Sequence, residues 1–85
     1  MERQAVSIRA PGIALDAFLK FVGAAATGGE AKHLVQGGRV QVNGSRETRR
    51  GRQLRGGDVV ELLDQQGAVV TAWEVRLRDQ HGAGL

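Results

Sequence analysis

Polar and apolar positions alternate from Gln4 to Arg9, with Val6 and Ile8 on one side. A period of two predicts a short strand, which Pro11-Gly12 then breaks. The period changes in the next stretch. Leu15, Phe18, Leu19 and Val22 fall at i, i+3, i+4 and i+7, the apolar stripe of an amphipathic helix. Ile13 lies just ahead of it, and Asp16 sits in the first turn, where a carboxylate suits the helix dipole. Gly23 ends the helix. Thr27-Gly28-Gly29-Glu30 has the spacing of a capping box, which offsets the weak helix propensity of its two glycines. A second helix is expected from there to about Gln36. Its inner face is Ala31, Leu34 and Val35, and Gly29, Lys32, His33 and Gln36 share the opposite face. Gly37-Gly38 supplies a left-handed stop.

Period two then returns. Arg39 to Val42 turns Val40 and Val42 inward, and Asn43-Gly44 is a hairpin signal because both turn residues need φ > 0. The return strand starts at Ser45, and a charged loop, Arg49-Arg50-Gly51-Arg52, follows with Leu54 as its apolar anchor. Gly56-Gly57-Asp58 and Gln65-Gln66-Gly67 are turns on either side of a strand at Val59 to Leu63, and a last strand runs from Ala68 to Val75. Asp79 to Leu85 is polar and glycine-rich, and a loose tail is expected there. The order predicts one α+β domain over residues 1–78: two short helices packed on a small antiparallel sheet of about five strands. Helices this short are marginal alone and must pack.

Composition narrows the chemistry. The 85 residues hold 41% hydrophobic and 25% charged residues, the balance of a folded domain with a modest core. There is no cysteine, hence no disulfide, thiolate nucleophile or cysteine-based zinc site. His33 and His81 have no ligand-spaced partners, so neither metal nor cofactor is expected. Asp58, Glu61 and Asp64 lie close together without a nucleophile or histidine, and the glycines match no phosphate-loop or dinucleotide fingerprint, so no enzyme is expected. The start shows no signal-peptide pattern, and no apolar run approaches the roughly 20 residues that span a bilayer. A cytoplasmic location without membrane contact is the expectation.

Charge changes the picture most. Between Lys32 and Arg55 seven basic residues face Glu47 alone, a local charge of +6 in a chain whose formal net charge is +3. A polyanion is the simplest partner for such a unit. Glu30-Ala31-Lys32-His33-Leu34-Val35, then Gly38 to Gly44, then Leu54-Arg55-Gly56-Gly57-Asp58-Val59-Val60, resemble the core of the S4-type RNA-binding domain, and Leu15 to Lys20 is similar to that domain's first helix. Within that family the chain resembles the free-standing bacterial YbcJ-like proteins, in the Gly28 to Lys32 stretch and the Glu47 to Arg52 loop. The resemblance implies an αL unit, two helices and a hairpin that present one basic face to RNA. It also implies structured ribosomal RNA or tRNA, or a ribosomal particle, as partner. The chain departs from the wider family at Gly28 and His33, where basic residues are common, and at Gly56, where proline is frequent. The first two departures shift charge from the second helix to the arginine loop.

The candidate RNA contacts are therefore Lys32, His33 and Gln36 on the second helix, Arg39, Asn43 and Arg46 on the hairpin, and Arg49, Arg50, Arg52 and Arg55 in the loop. Arginine forks suit phosphates, and contacts of this kind position an RNA more than they read its sequence. Plainer roles stand beside these. Helix two's polar face would also serve as a solvated surface, Asn43 is foremost a turn residue, and Arg55 has Asp58 across its turn. The three aromatics, Phe18, Phe21 and Trp73, are too few for an aromatic RNA-binding sheet; Trp73 is expected to pack the end of the sheet. A protein-interaction adaptor that docks its basic patch on an acidic protein or ribonucleoprotein is the alternative function.

Overall fold

The computed structural model describes residues 3–9 and 12–78. Strand β1 (Arg3–Arg9) leads to a two-residue strand, β2 (Ile13–Ala14), and the helices α1 (Leu15–Phe21) and α2 (Gly28–Gln36) follow. The chain continues through β3 (Val40–Val42), β4 (Ser45–Arg46), β5 (Gln53–Leu54), β6 (Val59–Leu63) and β7 (Val69–Arg78). The main sheet has the order β1-β7-β6-β3-β4, and β2 pairs with β5 in a separate ladder. The α+β class and the five-stranded main sheet match the sequence pattern. The sheet is mixed, however, where an antiparallel one was expected, because β1 runs parallel to β7, with Arg3 opposite Ala72 and Arg9 opposite Arg78. The cause is the pair of helices between the ends of the chain, which carries β1 and β7 to neighbouring positions without a hairpin. The expected tail, Asp79 to Leu85, lies outside the described residues, as does Pro11.

The helices bury the predicted stripes. Leu15, Phe18 and Leu19 from α1 and Ala31 and Val35 from α2 are fully enclosed against Val40, Val42, Val60 and Val75 of the sheet. Trp73 belongs to this core rather than to the sheet's end. Its ring meets Phe18 edge-on at 6.1 Å, an arrangement aromatic pairs favour. The predicted stop of α2 is complete. Gly38 takes φ +77°, its N–H donates to the Val35 carbonyl, and the Arg39 N–H donates to the Leu34 carbonyl. The capping box forms in part as expected: Thr27 Oγ1 accepts from the Glu30 N–H at 3.1 Å, but Glu30 reaches back to the Ala26 N–H instead of that of Thr27. At the hairpin, Asn43 and Gly44 both take positive φ, 54° and 84°.

The small β2–β5 ladder was not legible in the sequence, and it positions the arginine loop. Ala14 gives α1 no side-chain cap, so the first helical N–H groups need other partners. The Leu15 N–H donates to the Arg52 carbonyl at 2.8 Å and the Asp16 N–H to the Arg50 carbonyl at 3.0 Å. The loop's backbone therefore caps the first helix, while buried Leu54 holds the loop's end in the core.

Candidate nucleic-acid interface

Helix α2 presents Lys32, His33 and Gln36 to solvent on one face, as the spacing predicts. Arg46 on β4 approaches the end of the same helix. Its side chain lies over the α2 terminus, where a Cβ on Gly38 would stand 3.4 Å from Arg46 Cδ. Neither Lys32 nor Arg46 forms an ion pair among the described residues. Both charges are open to an external anion.

Arg39 and Asn43 sit in the same supersecondary unit but have internal duties. Arg39 Nε donates to the Leu63 carbonyl at 2.6 Å, and the Arg39 carbonyl accepts from the Leu63 N–H, so half-buried Arg39 ties the start of β3 to the end of β6. The Asn43 side chain donates to Asp58 Oδ1 at 2.9 Å and accepts from the Val59 N–H at 2.8 Å. It links the hairpin turn to the turn before β6. Asp58 also accepts from the Arg55 backbone N–H at 2.8 Å. The Arg55 guanidinium has no carboxylate partner among the described residues.

The arginine loop is built around Glu47, the one buried charged residue among those described. Arg49 grips its carboxylate side-on, Nε to Oε2 at 3.0 Å and Nη2 to Oε1 at 3.2 Å, and the Arg49 backbone N–H adds a third bond at 3.0 Å. Arg52 Nη1 donates to Oε1 at 3.0 Å. A two-toothed arginine–carboxylate pair is stronger and more directional than a point contact. The Glu47 carboxyl falls from 4.5 to about 2, first through Arg49's side-chain bonds, then its backbone N–H and Arg52; burial works the other way. The same carboxylate holds the Arg49 guanidinium above its ordinary value. Arg50 meets Asp16 of α1 at 3.8 Å. Three of the four loop arginines thus have a carboxylate neighbour, more than the scarcity of acids in the local sequence implies. The Glu47 cluster still carries net positive charge, and Arg49 remains 76% exposed.

Lys32, His33 and Gln36 therefore form one open face of α2, Arg46 lies at the Gly38 end of that helix, Arg55 is exposed on the turn before β6, and Arg49, Arg50 and Arg52 stand in a loop whose backbone caps the start of α1. The sequence offers Glu47 as a pairing partner for the loop arginines, but it does not show that Glu47 is buried and gathers two of them. Its signal was its position as the lone acid inside a basic run.

The S4 domain family model matches residues 6–70 of the chain. The chain belongs to the S4 domain family. The match runs from within β1 to the start of β7, so the helix pair, the hairpin and the arginine loop all lie within the S4 domain. No curated protein matches the sequence. S4 domains are RNA-binding rather than catalytic modules, which gives this chain a role in RNA binding. Among the described residues no cluster of histidine, aspartate and glutamate is grouped to hold a metal ion, and no helix is long and apolar enough to cross a membrane.

Proposed function

We propose that this S4 domain is a non-catalytic cytoplasmic protein that holds structured RNA, ribosomal RNA or tRNA, in the manner of the free-standing YbcJ-like proteins it resembles. What supports this is the exposure of Lys32 beside His33 and Gln36 on α2, with the Arg46 side chain of β4 lying against the Gly38 stop of the same helix and neither cation in an ion pair among the described residues. Lys32 and Arg46 engage phosphates, Arg55 extends the positive field, and Arg49, Arg50 and Arg52 form a second, rigid row of donors. A row fixed by Glu47 and by the α1 backbone selects RNA by shape, because its donors keep their spacing without a bound partner.

The test is a titration of the chain against a structured ribosomal RNA fragment, tRNA and duplex DNA of matched length over a range of salt. Tight, salt-dependent binding that prefers one RNA is expected. If Lys32 and Arg46 each neutralise one phosphate, replacing both by alanine lowers the slope of log affinity against log salt by about 1.4–1.8. An unchanged slope removes this face from the site. Equal, weak binding to all three nucleic acids defeats the reading and directs the search to an acidic protein partner.

A further inference from the structure

The far edge of the sheet carries a second constellation. Strand β1 lies at the opposite end of the strand order from β4, which bears Arg46. Where β1 ends beside α1, a cavity of about 290 Å³ is lined by Ser7, Ile8, Arg9, Ile13, Phe21 and Arg78. Phe21 is 61% exposed, more than any other large hydrophobic residue among those described. It closes an amphipathic helix whose other large apolar side chains are buried. Arg9 and Arg78 are register partners in the parallel ladder. Like charges set side by side repel, and among the described residues neither forms an ion pair. An exposed ring, an apolar recess and two arginines without an ion pair among the described residues meet at one place. A flat base attached to a phosphate satisfies all three: the ring stacks on the base, the recess excludes water, and the guanidinium groups hold the anion. An acidic peptide would use the arginines and leave the ring without a purpose.

We propose that this cavity takes one unpaired nucleotide of the bound RNA, its base stacked on Phe21 and its phosphates held by Arg9 and Arg78. The inference rests on the RNA-binding reading above and adds a second contact, separated from Arg46 by four strand spacings, about 19 Å across the sheet. The S4 domain would then grip a paired region on the α2 face and an adjoining single strand at the β1 edge.

The experiment compares two RNA probes, a blunt-ended hairpin and the same hairpin with an unpaired uridine tail. The tail is expected to tighten binding to the wild-type chain. Phe21→Ala should remove about 5- to 150-fold of that gain, the range for loss of one stacked base, and leave binding to the blunt hairpin as it was. Phe21→Tyr should keep the gain, because it keeps the ring. Replacing Arg9 and Arg78 together by glutamine should lower the salt slope by about 1.4 for the tailed probe alone. Phe21 is exposed, so its replacement leaves the core intact. A tail that adds nothing, or a gain equal in wild type and Phe21→Ala, overturns this site while hairpin binding leaves the α2 face standing. Failure of both probes to bind overturns both readings.

Discussion

Glu47→Gln changes one atom and removes the charge on which the arginine loop is organised. In the folded chain the carboxyl titrates at about 2 instead of 4.5, and a depressed carboxyl stabilises the fold above its unfolded value. The full linkage corresponds to about 3 kcal/mol at neutral pH. Arg49 is 76% exposed, and solvent screening discounts its share, so about 1–2 kcal/mol is the expected loss in the variant. For a domain of this size that is a fall of about 4–16 °C in Tm. Urea unfolding of both proteins from pH 7 downwards is the assay. The difference should hold above about pH 4.5, shrink as the unfolded carboxyl takes its proton, and be more than half gone by about pH 3. RNA binding supplies an independent arm. The variant gains one unit of net positive charge, which on charge alone strengthens binding. If Arg49 and Arg52 act through fixed positions, binding weakens instead. A stability difference below about 0.3 kcal/mol at pH 7, or one that does not shrink in acid, refutes the assignment of Glu47 as the organiser of the loop.

Two further substitutions probe the frame around the site. Gly12→Ala drives a Cβ into the Leu54 carbonyl oxygen, a backbone atom that yields only by moving the β2–β5 ladder, at a φ of +146°; a loss of at least about 2 kcal/mol in a denaturant titration is expected, and a change under about 0.5 kcal/mol contradicts it. Asn43→Ala loses both bonds to the Asp58–Val59 segment and leaves at φ +54° a residue without asparagine's tolerance of left-handed backbone, for about 1–3 kcal/mol by thermal unfolding, whereas Asn43→Gly relieves the backbone and recovers only part. If Asn43 is a turn residue and no more, RNA affinity of the folded variant equals that of the wild type.

What the sequence made legible follows from local rules. Spacing alone places Leu15, Phe18 and Leu19 inside, because a helix buries one face wherever it docks. Asn43-Gly44 and Gly37-Gly38 announce their turns through backbone sterics that need no tertiary information. Lys32, His33 and Gln36 are outward for the same reason. What was hidden depends on residues far apart in the chain. The parallel pairing of β1 with β7, the Ile13–Leu54 contact of the small ladder and the capping of α1 by the Arg50 and Arg52 carbonyls are all long-range. Arg39 reads as a free polar side chain until β6 supplies the Leu63 carbonyl, and the turn residue Asn43 has no visible partner until the turn before β6 supplies Asp58. Glu47 reads as a minor offset to the arginines until its burial makes it their anchor.

The pairing of the first strand with the last has a consequence for how this chain comes to be folded. Strand β7 is the shared neighbour of β1 and β6, so until it is synthesised β1 has no partner in the sheet and the apolar side chains of both remain uncovered. The helix pair and the β3–β4 hairpin need only nearby residues, but closure of the core waits for Trp73 and Val75 to emerge. Pairing across nearly the full sequence is slow, because the ends must meet before any contact rewards them. Until then Lys32, His33 and Gln36 of α2 stand on a chain whose core is not yet closed.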